Sequence, residues 1–445
     1  MISCHSKVLP NGLRLIVARL PHLHSAEIAI YLKVGARHDP IGKEGLSHFL
    51  EHMLFRGTSD YATTLELETA FEALGGSVNA ATDADSTCFY TRIHPRHAAG
   101  GVGIFASMLL RPTLAGIEVE KRIITEEALE DTNVNDEDIN TDNLSSKLLW
   151  PDHPLGMPTV GSLRSIAAFT VQDLREHMAT YYVPGNTVVT VVGDVDPDDF
   201  FSECERTFGA WTGRLPPEAV PVAECQDGPV SLFVKDPDSQ AALQFAFRGY
   251  GRHDRRIMAV RLIRRILCGG GSSRLLMSLR EGLGIAYSVN AGISAYEETG
   301  CFAVDLATAP DNLCRAVEEV LKETLRLARE PIGDDELERV KRGYFFDLEY
   351  SRDSTYEIGV RYGWGELMAM RSHIEQDQEE SAAVTKEMVL DTARDLFAPA
   401  NLNLVVVGPW KAAAKRNAEK LLRNYEEDFS RDCVNPVPGN PSPLV

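Results

Sequence analysis

The chain repeats itself at a fixed offset of 215 residues, and that restricts it to folds built from two similar halves. Phe169-Thr-Val-Gln-Asp-Leu174 leads to Tyr182-Val-Pro-Gly-Asn-Thr-Val-Val-Thr-Val-Val-Gly193, while Val384-Thr-Lys-Glu-Met-Val389 leads to Phe397-Ala-Pro-Ala-Asn-Leu-Asn-Leu-Val-Val-Val-Gly408. Pro184 pairs with Pro399, Asn186 with Asn401 and Gly193 with Gly408, and Arg37-His38-Asp39 pairs with Arg252-His253-Asp254. Each half reads as strands, helices, a hairpin and a last helix running into a Val-rich strand. At 445 residues the chain is too long for one ordinary core. The expected division is an N-terminal domain over 1–212, a Pro-rich linker over 213–229, a C-terminal domain over 230–432 and a tail over 433–445.

The first half carries Gly45-Leu-Ser-His-Phe-Leu-Glu-His-Met-Leu-Phe55, which contains an H-x-x-E-H made of His48, Glu51 and His52. On a helix, residues four apart share a face, so both imidazoles can reach one ion with Glu51 beside them for a water. Leu46, Phe49, Leu50, Met53 and Leu54 follow the complementary spacing and form a core-facing stripe. With 12 His in the chain, the motif should arise by accident only about 0.03 times. At the repeat offset its three positions become Ile263, Ile266 and Leu267, so one metal site per chain is expected.

A catalytic zinc needs a third protein ligand and an open position. Ile117–Glu130 reads as a helix with Glu120, Ile124 and Glu127 on one side, which suits a ligand and a supporting acid one heptad apart.

In these motifs the chain resembles the M16 peptidases, the pitrilysin or insulinase-like family, and most closely its short M16B branch with the mitochondrial processing peptidase subunits. The resemblance runs from the Leu9-Pro-Asn-Gly-Leu-Arg14 opening hairpin to the strand ending at Gly408. It implies an α+β fold of two homologous halves, each a mixed, mostly antiparallel sheet with helices packed on it, in a chain that is half of a clamshell. It implies that His48, His52 and Glu127 bind one Zn²⁺, with Glu126 the alternative register, that Glu120 supports the site, and that Glu51 is the general base. It also implies an Arg and a Tyr seven apart in the second half, matched by Arg280 and Tyr287, which would hold substrate and stabilise the developing oxyanion. Asn79, Ala80 and Thr82 match an edge strand on which an extended substrate pairs. M16B chains pair, so a homodimer is expected here, with a heterodimer of related subunits as the alternative.

The Gly-rich run before Ser272 lacks the Lys-Ser/Thr of a phosphate loop, so nucleotide binding is not expected. A formal charge of −20 disfavours nucleic acid and anionic membranes as partners and would suit basic peptides, while a peptide substrate as such is what the resemblance implies. No apolar run is long enough for a membrane span, the N-terminus lacks the pattern of a secretory signal, and the 8 cysteines show no C-x-x-C. These features predict a cytoplasmic protein with reduced thiols. The expected function is a zinc-dependent endopeptidase acting on peptides or small unfolded polypeptides. Two rivals stand beside it: a maturation peptidase dedicated to one ribosomal peptide, such as a pyrroloquinoline quinone precursor, and a catalytically idle structural subunit.

Overall fold

The computed structural model describes residues 2–223 and 226–431; the expected tail over 433–445 lies outside them. Six strands of the first half, β1 (Ser3–Val8), β2 (Arg14–Arg19), β3 (Ala26–Leu32), β4 (Val78–Thr82), β5 (Thr87–Ile93) and β6 (Thr187–Gly193), form one sheet in the order β1-β2-β6-β3-β5-β4. Five strands of the second half, β7 (Val230–Lys235), β8 (Ala241–Tyr250), β9 (Val289–Ala295), β10 (Thr299–Thr308) and β11 (Leu402–Gly408), form another in the order β7-β11-β8-β10-β9. Only β2 with β6 and β7 with β11 run parallel. This is the mixed, mostly antiparallel α+β architecture the repeat and the resemblance imply.

The repeated residues occupy equivalent places. Pro184–Asn186 and Pro399–Asn401 each form a single 3-10 turn between the last long helix and the Val-rich strand. In both turns the Asn amide donates back to the end of that helix, Asn186 to Tyr181 O at 3.0 Å and Asn401 to Asp395 O at 2.8 Å.

Packing groups the residues into two compact units: the chain up to Glu130 with 152–220 and 348–374, and 131–151 with 221–347 and the chain from Glu375 on. In the first unit, one sheet face packs against a core that includes Phe49, Phe71, Phe105 and Phe208, all fully buried. Burial of each such side chain contributes roughly 2 kcal/mol. The opposite face is covered too, which is why every residue of β3 and β6 is buried and why both, apart from Glu27 and the threonines, read as apolar runs without alternation. The cover is the segment Thr355–Trp364. Thr355 donates to the buried Glu27 carboxylate at 3.0 Å, and Gly363 lies so close to the sheet that a Cβ there would meet Thr190 Oγ1 and the Tyr31 ring at 2.4 Å.

The second unit has the same plan. Its β11 is buried throughout, and helix Thr141–Leu149 covers the outer face, with Leu144 on Val405 and Val407 and Asp142 accepting from Gln244 at 2.6 Å. The helix Thr141–Leu149 and residues 356–364 are related by the same 215-residue offset. Each compact unit thus takes the cover of its sheet from beyond the linker.

Candidate metal centre

The motif lies on helix α1 (Leu46–Met53), whose start is fixed by the backbone and by a buried acid. Gly45 precedes it at φ 88°, with its Cα so close to Val160 O that a Cβ would lie 2.3 Å away, so only glycine fits. Asp39 accepts from Gly45 N at 2.8 Å, Ser47 N at 2.9 Å and Ser47 Oγ at 2.6 Å, placing a carboxyl group at the positive end of the helix. Ser47 Oγ also lies 2.9 Å from His177 Nε2. Burial pushes the Asp39 carboxyl up to about 7 against the pull of these hydrogen bonds, and burial, with His38 nearby, pushes His177 down to about 3. Leu46, Phe49, Leu50, Met53 and Leu54 are all buried, so α1 is anchored by one face and by its N-terminus.

The opposite face of α1 meets helix Ile117–Glu130. His48 Nε2 lies 3.5 Å from Glu127 Oε1, and His52 Nε2 lies 3.8 Å from Glu127 Oε2. The two imidazole centroids are 4.6 Å apart. One donor atom from each of His48, His52 and Glu127 lies within 4.8 Å of the others, the one such group of His, Cys, Asp and Glu among the described residues. Donors at ~2 Å from a tetrahedral zinc stand ~3.3 Å from each other, so two imidazole nitrogens and a carboxylate oxygen at these spacings fit that ion with little adjustment.

The remaining atoms orient these donors. His52 Nδ1 is 2.9 Å from Glu120 Oε1, and Arg56 is paired with the other oxygen of Glu120. An Nδ1–H donated to Glu120 would leave His52 its Nε2 lone pair, on the side where Glu127 stands, for an ion. Burial alone would lower the His52 imidazole, but the Glu120 hydrogen bond and the charges of Glu51, Glu120 and Glu127 outweigh it and raise the group. Glu120 is itself buried, yet His52 and Arg56 hold it below the usual carboxylate range. His48 is pushed down to about 3 by burial and by His52, so it stays a neutral donor; its Nδ1 has no hydrogen-bond partner among the described residues.

Glu51 lies on the same turn of α1 and accepts from Thr82 Oγ1 at 2.6 Å. Burial raises its carboxyl, partly offset by that hydrogen bond and by His52. A raised carboxyl beside a group of possible metal ligands is a stronger base than an ordinary carboxylate, which is what a general base requires.

Thr82 sits at the end of β4, an edge strand, and its hydroxyl serves Glu51. Asn79 is exposed on β4, and Ala80 packs partly against the core. Arg280 and Tyr287 fall in the second compact unit. There the guanidinium is 5.4 Å from the phenol ring, and Tyr287 is 83% exposed, a large aromatic left in solvent. Ile263, Ile266 and Leu267, which stand where the second half would carry a motif, are buried in its core.

Sequence reasoning did not identify Asp39, Ser47, Arg56 and His177 as supports. Asp39 had a signal: the repeat pairs it with Asp254, whose carboxylate accepts from Arg256 N at 2.8 Å just before Ile257–Cys268. His177 had none, since it reaches Ser47 across 130 residues of chain.

Residues 14–162 match the insulinase, or peptidase M16, family model, and residues 168–344 match the peptidase M16 inactive domain. The Bacillus subtilis uncharacterized zinc protease YmxG is 32% identical over 392 residues, covering 87% of this chain and 94% of that protein. An uncharacterized zinc protease of Mycobacterium leprae is 28% identical over 426 residues, covering 93% of each. Among solved structures, a protease from Helicobacter pylori superimposes with a TM-score of 0.84 at 20% identity over 92% of this chain and all of that one. The first half of the Escherichia coli periplasmic protease PqqL does so with a TM-score of 0.77 at 17% identity, over 96% and 97% of the two chains. The span 168–344 that matches the inactive domain includes Ile263, Ile266 and Leu267, the aliphatic residues at the motif positions.

Proposed function

The chain belongs to the M16, insulinase-like peptidase family, and on that premise we propose that it is a zinc endopeptidase of the M16B type cleaving peptides or small unfolded polypeptides. The observation that carries the reading is the convergence of His48, His52 and Glu127, with Glu51 held beside them by Thr82. His48 and His52 would hold the ion through Nε2 and Glu127 through its carboxylate, one ion per chain. Bound there, zinc supplies a Lewis acid that polarises the scissile carbonyl and makes a water acidic enough to lose a proton to a carboxylate. Glu51 takes that proton as the water attacks and returns it to the departing amine. Thr82 fixes which Glu51 oxygen is free to do so, because the other accepts its hydroxyl.

Arg280 and Tyr287 are assigned to the substrate: the guanidinium to a carbonyl or C-terminus, the phenol to the oxyanion. The exposure of Tyr287 supports this, since a buried packing tyrosine would not stand in solvent. Because one chain holds both this pair and the complete donor set, a homodimer is the assembly we favour. The 1–212 and 230–432 halves are taken as the duplicated units, joined by 213–229. No described helix is long and apolar enough to cross a membrane. The cysteines without a C-x-x-C pattern support the cytoplasm as the location we propose.

Purified protein is expected to contain about one zinc per chain and to cleave unstructured peptides until a chelator removes the metal, with activity restored by stoichiometric zinc. Metal-free protein, or cleavage indifferent to chelation, would overturn the assignment. Glu120→Gln should leave the fold and the donors in place but weaken the hold on the His52 tautomer. Its zinc affinity, read by competition with a chromophoric chelator, is expected to fall about 10- to 100-fold.

A further inference from the structure

The edge strand β4 has two faces, and only one belongs to the metal centre. Thr82 donates to Glu51, Val78 is buried in the core and Ala80 packs partly on it, so alternate side chains of β4 point toward α1. Asn79 and Ala81 point to the other face and are exposed. Across the ladder, Tyr90 pairs with Asn79 and Cys88 with Ala81, so both share that outer face. The segment Thr355–Trp364 rises beside them. The Tyr356 ring lies 5.9 Å from Tyr90, and Trp364 Nε1 donates at 3.2 Å to Ser86 Oγ, in the turn joining β4 to β5. Tyr356 remains 52% exposed although Thr355, Ile358 and Gly359 beside it are buried. Tyr356 and Trp364 are thus tied at two points to the hairpin whose outer face carries Asn79, Ala81, Cys88 and Tyr90, with Ala81 the smallest of them.

No strand pairs with the free side of β4 among the described residues. We propose that a peptide strand pairing there sets the side chains of its outer face beside Asn79 and Ala81, toward Tyr356 and Trp364, and that these two aromatic rings select large apolar or aromatic residues at those positions. The proposal rests on the peptidase reading for its substrate, and the strand geometry supplies the selectivity. A strand added to β4 runs ~5 Å beyond it and so roughly 10 Å from β5. Only a long or aromatic side chain leaning across Ala81 closes that distance to Tyr356, and a glycine or alanine leaves the ring in water. The intervening residues face Glu51 and the metal group, so selection and cleavage act on opposite faces of one bound strand.

The test uses zinc-loaded full chain and a peptide library with cleavage sites read by mass spectrometry. Wild type is expected to prefer Phe, Tyr, Leu or Met over Gly at positions two apart. Tyr356→Ala should reduce that preference about tenfold, mainly through KM, and Tyr356→Phe should retain it. Ala81→Phe, on an exposed strand position that cannot unfold the core, should fill the outer face there and also abolish the preference. Melting curves check that the variants fold. Wild type that cleaves with no alternating preference, or a preference that survives both Tyr356→Ala and Ala81→Phe, overturns the proposal. Calorimetric binding of aromatic and glycine-substituted peptides to zinc-loaded Glu51→Gln separates the two readings. Aromatic-dependent binding lost in Glu51→Gln/Tyr356→Ala supports the groove even if wild type cleaves nothing, whereas equal binding of both peptides overturns it even if wild type is active.

Discussion

Glu51→Gln is expected to lower kcat for peptide cleavage by about 10²- to 10⁴-fold while leaving zinc content at one per chain. The amide has the shape of the carboxylate and can still accept from Thr82, so α1 should keep its place. What it lacks is basicity: an amide cannot take a proton from water at any working pH. Because Glu51 is not among the three converging donors, the metal should stay. Loss confined to the proton-transfer step lowers kcat and kcat/KM together with little change in KM. Steady-state kinetics on one fluorogenic peptide, with metal analysis of the same preparation, reads both quantities. A variant that cleaves at the wild-type rate would remove Glu51 from the mechanism, and one that loses its zinc would make it a ligand instead.

The parts of this site that could be read from the letters are those fixed by helical spacing. His48, Glu51 and His52 lie within five residues, and Glu120 and Glu127 lie a heptad apart, so their sharing of a face followed once both segments were read as helices. That the two helices meet at Glu127 came from the resemblance alone. The opaque parts are the contacts that cross the chain. Thr82 was legible as a strand residue, but its hydroxyl on Glu51 depends on β4 ending beside α1. His177 on Ser47 and Arg56 on Glu120 depend on tertiary approach in the same way.

The fold divides along the same line. The runs Thr187–Gly193 and Leu402–Gly408 were legible as Val-rich strands, and apart from Asn403 and the closing glycines they are apolar or β-branched, as suits strands buried on both faces. Nothing local said what covers their outer faces. The covers are 355–364 for one sheet and 141–149 for the other, and both have polar, charged or glycine positions that read as ordinary helix surface. The 215-residue offset linking these two segments was available, but it was legible only as repetition and not as exchange.

Glu127→Ala tests the coordination most sharply because the sequence left Glu126 as its alternative. Helix Ile117–Glu130 turns Glu126 to solvent and Glu127 to the imidazoles, so only Glu127→Ala should release zinc. Removing a group that merely orients a ligand costs about 10- to 100-fold in affinity, so removing the ligand itself should exceed 100-fold. The fold should not suffer. In the metal-free protein the charge of Glu127 raises Glu51, a repulsion, and also raises His52, an attraction, so taking it away removes two opposed effects. Metal-free Glu127→Ala is therefore expected to melt close to metal-free wild type. Zinc stabilises whatever state binds it in proportion to the logarithm of its concentration over Kd. Added zinc should thus raise the melting temperature of wild type and of Glu126→Ala, and leave Glu127→Ala where it was. If instead Glu126→Ala lost the zinc-dependent shift and Glu127→Ala kept it, the third ligand would be one residue earlier and the helix would have to be rotated to bring it in.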